Sequence, residues 1–434
     1  MAPLVPTLLR TEIPFRRFWT GQTVSLIGDQ ITLIALPLVA VLVLHADAAQ
    51  MGYLTAVGVL PNLLFALHAG AWVDRRGRRR QVMIAADAGR AVLLAVIPLS
   101  AVLGVLSLTE LYAVAFLVGT ASVFFMVAYQ ALFVSLVSSD RYVEGNSLLN
   151  GSRALSQVAG PSLGGLLVQL LTAPGAIAVD AISFVVSAVF LARISPVEPP
   201  TEHGRRSLVL AGVRFIARSP LVGPSLAATA TINFFNFAFF ALFVLYATRA
   251  LHVRPAALGL VLGCGAVGGL VGAAVTGRLV RRLGIGRAFM LGCVVFPAPL
   301  VLVPLAGGPR ALVLGALFAA EFGAGLGVMM LDISVGSIFA AVIPDRLRSR
   351  VSGAYMTVNY GVRPLGALAA GALAGLIGVR STLLLAVLGA LLGVLWLLPS
   401  PMRRLRELPA RDGEALAPDS VAADVGANGL EESA

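Results

Sequence analysis

Apolar stretches of about twenty residues recur along the chain, separated by short polar segments in which arginine, glycine and proline gather. A stretch of that length crosses the roughly 30 Å hydrocarbon layer as a helix rising about 1.5 Å per residue. The runs are too long and too continuously apolar for barrel strands, which leaves helices as the way to satisfy every backbone amide in lipid. The pattern predicts spans at 18–44, 51–73, 81–104, 109–136, 148–171 and 175–194, then at 221–247, 255–279, 285–306, 310–339, 351–377 and 380–398. The first run has no small-residue cleavage site and reads as a permanent span, not a secretory peptide.

Five regions follow from the interruptions: an N-terminal segment 1–17, a six-helix bundle 18–194, a linker 195–220, a second bundle 221–398 and a tail 399–434. The linker carries Pro196, Pro199, Pro200, Arg205 and Arg206. The tail holds Asp412, Glu414, Asp419, Glu431 and Glu432 with little apolar periodicity, and is expected to be disordered distally. Arginines crowd the two ends and the even-to-odd loops, whereas Arg249, Arg254, Arg310 and Arg380 fall on the other side. Positive loops are retained inside, so both termini are expected in the cytoplasm and the chain in the cytoplasmic, or inner, membrane.

Composition agrees with lipid as the main solvent: the chain is 58% hydrophobic and 12% charged, with mean hydropathy +0.91. A net charge of +11 raises nucleic acid as a partner, but the arginines are spread over short loops, so topology explains them and no nucleic acid is expected. Cys264 and Cys293 lie in apolar runs without metal-ligand spacing, so no metal or cofactor is expected. An ATP-binding loop, a zinc-binding helix motif and a nucleophile elbow are all missing, which argues against an enzyme.

The two halves also echo each other. Gly21 pairs with Gly223 at a separation of 202, and Gly70 in GAWVDRRGRRR pairs with Gly272 in GAAVTGRLVRRLG, placing Arg79 and Arg80 over Arg281 and Arg282. Asp140-Arg141 and Asp345-Arg346 match at a separation of 205. Parallel repeats of six helices are a recurrent transporter design, with a path at their interface.

In the loop after the second span, Gly70, Asp74, Arg75, Gly77, Arg78 and Arg79 stand where glycine, aspartate, arginine and basic residues recur in a known family. Here the sequence resembles the major facilitator superfamily, particularly its drug-export branch of macrolide-efflux and enterobactin-exporter proteins. The fifth span, SQVAGPSLGG, resembles the antiporter signature of that family through Gly160, Pro161, Gly164 and Gly165, with Ser156 replacing an earlier glycine. The resemblance implies an all-α polytopic fold of twelve transmembrane helices in two six-helix bundles, and secondary export. It also implies a gate at Asp74 and Arg75; the residues alone leave the arginines open as topology determinants. Physically, Gly70 permits close helix approach and Asp74 can brace one conformation against a helix N-terminus or an arginine. The second-half loop has Thr276 in place of the aspartate, and the fourth span has no copy of the arginine signature of the family.

Polar groups within the spans are the candidates for chemistry. Asp29 lies about 16 Å into the first span and must face water, find a partner or hold a proton. Proton coupling, a structural polar network and substrate contact are all open for it. Glu321, near the middle of the tenth span, is the second coupling candidate, whereas Asp332 reads as structural. Asp87 and Arg90 share a helical face and are expected to neutralise each other. Asp180, placed at the start of the sixth span, reads as interfacial or structural, and it joins Arg153 and Arg363 in an expected buried polar network. Asn62, Tyr129, Gln130, Gln157, Asn233 and Asn236, with aromatics around them, are candidates to line a route for amphipathic cargo.

The sequence is therefore expected to encode a monomeric exporter of amphipathic small molecules (drug, antibiotic, siderophore or secondary metabolite), driven by protons and surrounded by lipid. A proton-coupled importer, a lipid translocator and a nontransport scaffold are the alternatives.

Overall fold

The computed structural model describes residues 7–196 and 209–408, in which every regular element is helical. Twelve helices are long and apolar enough to cross a membrane. They are α1 (Ile13–Val43), α2 (Ala48–Arg76), α3 (Arg79–Val102), α4 (Leu108–Leu136), α5 (Ser139–Leu171) and α6 (Ala173–Ala192), then α7 (Val222–Arg249), α8 (Pro255–Leu283), α9 (Ile285–Leu305), α10 (Arg310–Val342), α11 (Asp345–Ile377) and α12 (Val379–Leu397).

Local chemistry sets the ends. Asp47 and Gln50 form a reciprocal capping box that opens α2, and Gly77, at φ 60°, closes it by donating its N–H to the carbonyl of Val73. In α9 the prolines at 297, 299 and 304 remove backbone donors, and the helix gives way to a 3-10 turn over Ala298–Val301. Helices α2, α5 and α11 continue past their apolar runs into arginine-bearing turns, and α1 begins five residues before the expected 18. A short helix, Thr7–Thr11, precedes α1, and the linker contains the helix Val209–Arg218. The linker residues 197–208 and the tail beyond 408 lie outside the described residues, and with them the expected tail disorder.

The packing has approximate two-fold symmetry. In the first half α1 packs on α5 and α6, and α4 on α2 and α3; in the second α7 packs on α11 and α12, and α10 on α8 and α9. The halves meet where α2 lies on α11 and α5 on α8.

This symmetry corrects the repeat register. Helices α2 and α8 are both 29 residues long, and both follow a loop whose histidine takes a positive φ, His45 at 55° and His252 at 52°. Both also end on a glycine of positive φ, Gly77 and Gly284. Residue 48 therefore matches 255, a separation of 207, and Gly70 matches Gly277 rather than Gly272. The matched basic residues GRRR and VRR were shared composition at helix ends, not shared position.

Glycines show where the halves are closed. A Cβ on Gly52 of α2 would stand 3.0 Å from the Cα of Gly371 on α11, and one on Gly165 of α5 would stand 3.0 Å from the Cα of Gly259 on α8. These two crossings, related by the internal symmetry, allow backbone to touch backbone. Five turns along, about 27 Å away on the same helix face, stand Gly70, Gly353 and Gly277. Gly70 and Gly353 have nothing within 4 Å of a Cβ, and Gly277 meets only Arg281 of its own helix. Gly151, toward the same end of α5, is equally open. The close approach expected of Gly70 is thus absent in this conformation, because the two bundles touch at the arginine-poor end and part at the arginine-rich end.

Candidate functional site: a passage between the bundles and its charged residues

Within the first bundle the charges converge on Arg90 of α3, which is 2% exposed. Its Nη2 donates to Asp87 one turn earlier, as the i, i+3 spacing anticipates, and its Nη1 lies 3.7 Å from Asp29 Oδ1 on α1. Phe125 of α4 and Phe184 of α6 flank the guanidinium at 4.4 and 4.0 Å, adding two ring faces to its partners. Asp87 is fully buried, whereas the Asp29 side chain keeps 44% of its surface accessible. A carboxylate at mid-span that is both accessible and ion-paired to an interior arginine faces the protein interior, not lipid. One arginine faces two carboxylates, and of the three side chains only that of Asp29 is accessible.

Asp180 is not interfacial. It lies eight residues into α6, fully buried, accepting from Thr32 Oγ1 at 2.5 Å and Ser183 Oγ at 2.8 Å. Oδ2 ties α6 to α1 one turn from Asp29, while Oδ1 is held by Ser183 within α6. Gly28, between them, has no room for a Cβ against this carboxyl group.

The second bundle carries a counterpart in which an arginine meets only uncharged partners among the described residues. Arg363 of α11 donates from Nε to Asn233 Oδ1 of α7 at 3.0 Å, and Asn233 Nδ2 donates to Asn359 Oδ1 at 3.0 Å. Tyr355 and Thr229 join their hydroxyls at 2.6 Å to continue the seam between α11 and α7. Asn233, a candidate for the route, is therefore also part of a structural network. Glu321 of α10 has no hydrogen-bond or ion-pair partner among the described residues and lies against Gly265 of α8.

Arg153 does not belong to a buried network: it is exposed on α5, toward the arginine-rich end and within electrostatic reach of Tyr129. The gap between the bundles at that end exposes it. Gln157, one turn deeper and between the α5 faces that meet α1 and α8, is exposed too, as is Gln130 of α4. Tyr129 stacks on Phe18 and Phe125 at 5.3 and 6.4 Å, and Asn62 is half-buried. Asn236 lines a small apolar pocket with Phe235, Phe239 and Phe296.

Among the expected gate residues, Arg75 and Arg78 are exposed at the parted end, Arg79 is half-buried and Gly77 caps α2. The Asp74 side chain, and with it the bracing role, lies outside the described residues. In α5, Gly160 abuts Gln30 and Gly164 abuts Ile31 of α1, whereas Gly165 turns to α8, where Gly259 also meets the Pro161 carbonyl. The fifth-span signature thus packs α5 on both its neighbours at the closed end. The sequence alone did not reveal the link from Asp29 to Arg90, since it crosses helices whose relative rotation is a property of the packing.

Twelve helices in two symmetric bundles, enclosing accessible charges at mid-depth, define a membrane transporter. The Major Facilitator Superfamily profile matches residues 18–367, and the chain belongs to that family. It is 30% identical over 399 residues to the multidrug efflux pump Tap of Mycolicibacterium fortuitum, covering 88% of this chain and 93% of that one. Identity is 28% to the multidrug efflux pump Tap of Mycobacterium tuberculosis (strain ATCC 25618 / H37Rv), over 82% and 86% of the two chains. An uncharacterized MFS-type transporter of Bacillus subtilis, YfiS, is 25% identical over 92% and 95%. Among solved structures, a variant of the nucleoside transporter NupG superposes with TM-score 0.74 at 12% identity, covering 89% of this chain and 99% of that one. A bacterial homologue of the iron transporter ferroportin, in its inward-facing state, gives 0.72 at 16% over 91% and 99%, a likeness of fold.

Proposed function

We propose that the protein exports amphipathic small molecules across the cytoplasmic membrane by proton-coupled antiport, with both termini and the linker in the cytoplasm. The contrast between glycines five turns apart carries this reading. The same faces of α2, α8 and α11 are packed at one end and open at the other, the geometry of a passage that faces one side at a time. The arginine distribution favours the inside for the open end, where an exporter collects its cargo. Efflux pumps among the relatives favour outward movement of a drug-like compound.

Coupling falls to Asp29. When the passage faces out, a proton neutralises the charge that Asp29 leaves beside Arg90; when it faces in, cargo enters as the proton departs. Glu321, without a partner among the described residues, is the further proton-binding candidate. Arg153, Gln157, Tyr129 and Gln130 line the inner vestibule, and the stacked rings beside them suit apolar parts of the cargo.

The test is reconstitution into oriented vesicles with a panel of amphipathic compounds, imposing pH and electrical gradients separately. Accumulation against a concentration gradient, in the direction opposite to proton flow, supports antiport. Movement of cargo and protons together makes the protein an importer instead.

A further inference from the structure

Resting on the export reading, we infer that Arg363 and Asn233 form a subsite for the carboxylate, or a similar planar anion, of an amphipathic substrate. The two bundles hold comparable arginines in unlike ways. Arg90 is sealed between two rings and has two acid partners. Arg363 also lies over two rings, Tyr360 at 4.4 Å and Phe237 at 4.9 Å, yet no carboxylate comes within 4 Å of it among the described residues. Its one hydrogen bond there uses Nε, which fixes the plane of the guanidinium against Asn233 and leaves both Nη groups to a ligand.

Position makes this imbalance informative. Arg363 lies near the middle of α11 (Asp345–Ile377), where an uncompensated charge is expensive. It is half-buried, one turn inward of Ala367, whose carbonyl meets Gly52 at the closed crossing. The inner vestibule therefore reaches it, and α7 and α11, which carry the subsite, both border the first bundle through α2. A planar fork with two open arms suits a two-oxygen anion, and the flanking rings suit an aromatic or alicyclic body attached to it. Asp332 of α10 lies within electrostatic reach but beyond ion-pair distance. It competes with a bound anion and would take over the arginine as the ligand leaves.

Equilibrium binding of dansylglycine and of its neutral amide, dansylglycinamide, to the full chain in nanodiscs tests the subsite without any gradient. The wild type is expected to prefer the carboxylate, and Arg363→Gln to weaken it about ten- to a hundredfold with the amide changed less than about twofold. Arg363→Lys should fall between, since it keeps the charge and loses the fork. Asp332→Asn should tighten the carboxylate alone, which decides the matter even if the arginine variants do not fold. Equal affinity of wild type for the two probes, equal loss of both in Arg363→Gln, or indifference of the carboxylate to Asp332→Asn overturns the subsite. Failure of export in vesicles would be read separately, because these affinities need no transport.

Discussion

Arg90 Nη1 and Asp29 Oδ1 stand 3.7 Å apart between α3 and α1, with Asp87 on the other arm of the same guanidinium. Only Asp29 keeps accessible surface, so the proposed coupling makes Asp87 the fixed counter-charge and Asp29 the exchangeable one.

Replacing Arg90 by Gln should therefore strand a buried carboxylate. We expect a loss of about 3–5 kcal/mol of stability, seen as a lowered unfolding temperature in detergent, with partial recovery when Asp87→Asn is added. Asp29→Asn alone should leave the unfolding temperature close to that of the wild type, because the Asp87 pair remains.

Transport should respond in the opposite order. Asp29→Asn, inserted at normal abundance, is expected to abolish acceleration of export by an inwardly directed pH gradient while retaining gradient-independent exchange. Raising the external pH should slow wild-type export, since protons then bind less readily from outside, and should leave the variant unaffected. A variant whose export still follows the pH gradient moves Asp29 into the structural network.

Thr32→Val should act on stability, not coupling. It removes one of two hydroxyl donors to the buried Asp180, at a cost of about 1.5–3 kcal/mol. Calorimetry and vesicle flux together check this: a lowered unfolding temperature with an intact pH response is the expected pair.

Much of this was legible in the chain itself. Continuous apolar runs of span length can only be helices in lipid, and arginine-bearing loops mark one side, so the twelve spans emerged within a few residues except at the arginine-bearing starts of α5 and α11. The i, i+3 spacing likewise announced the Asp87–Arg90 pair. The sequence alone could not tell that Arg90 also reaches α1, or that Arg153 is exposed, because both depend on how helices rotate and where the bundles separate. The repeat was visible, yet its register was misjudged from GRRR and VRR; the paired LH dipeptides at 44–45 and 251–252 were the better signal.

Packing at the closed end should tune the conformational balance. Gly165→Leu or Gly371→Leu forces a side chain into a backbone crossing, an overpacking cost of about 1–3 kcal/mol. That corresponds to a ~5–150-fold shift toward the state parted at this end. Spin-label distances across α2 and α11 read the shift, and symmetry-related substitutions should act in the same direction.

The most direct measurement is reciprocal crosslinking in a variant with Cys264 and Cys293 replaced. One cysteine pair is placed at Ala56 and Ala367, which already pack side chain against side chain beside the closed crossing, the other at Gly70 and Gly353. The expected result is exclusive formation: the first pair links in the present state, and the second links only when the first has opened, as in Gly165→Leu. Simultaneous linking of both pairs in one molecule, or failure of the Gly70–Gly353 pair to link under any gradient or in Gly165→Leu, would contradict a passage that opens to one side at a time.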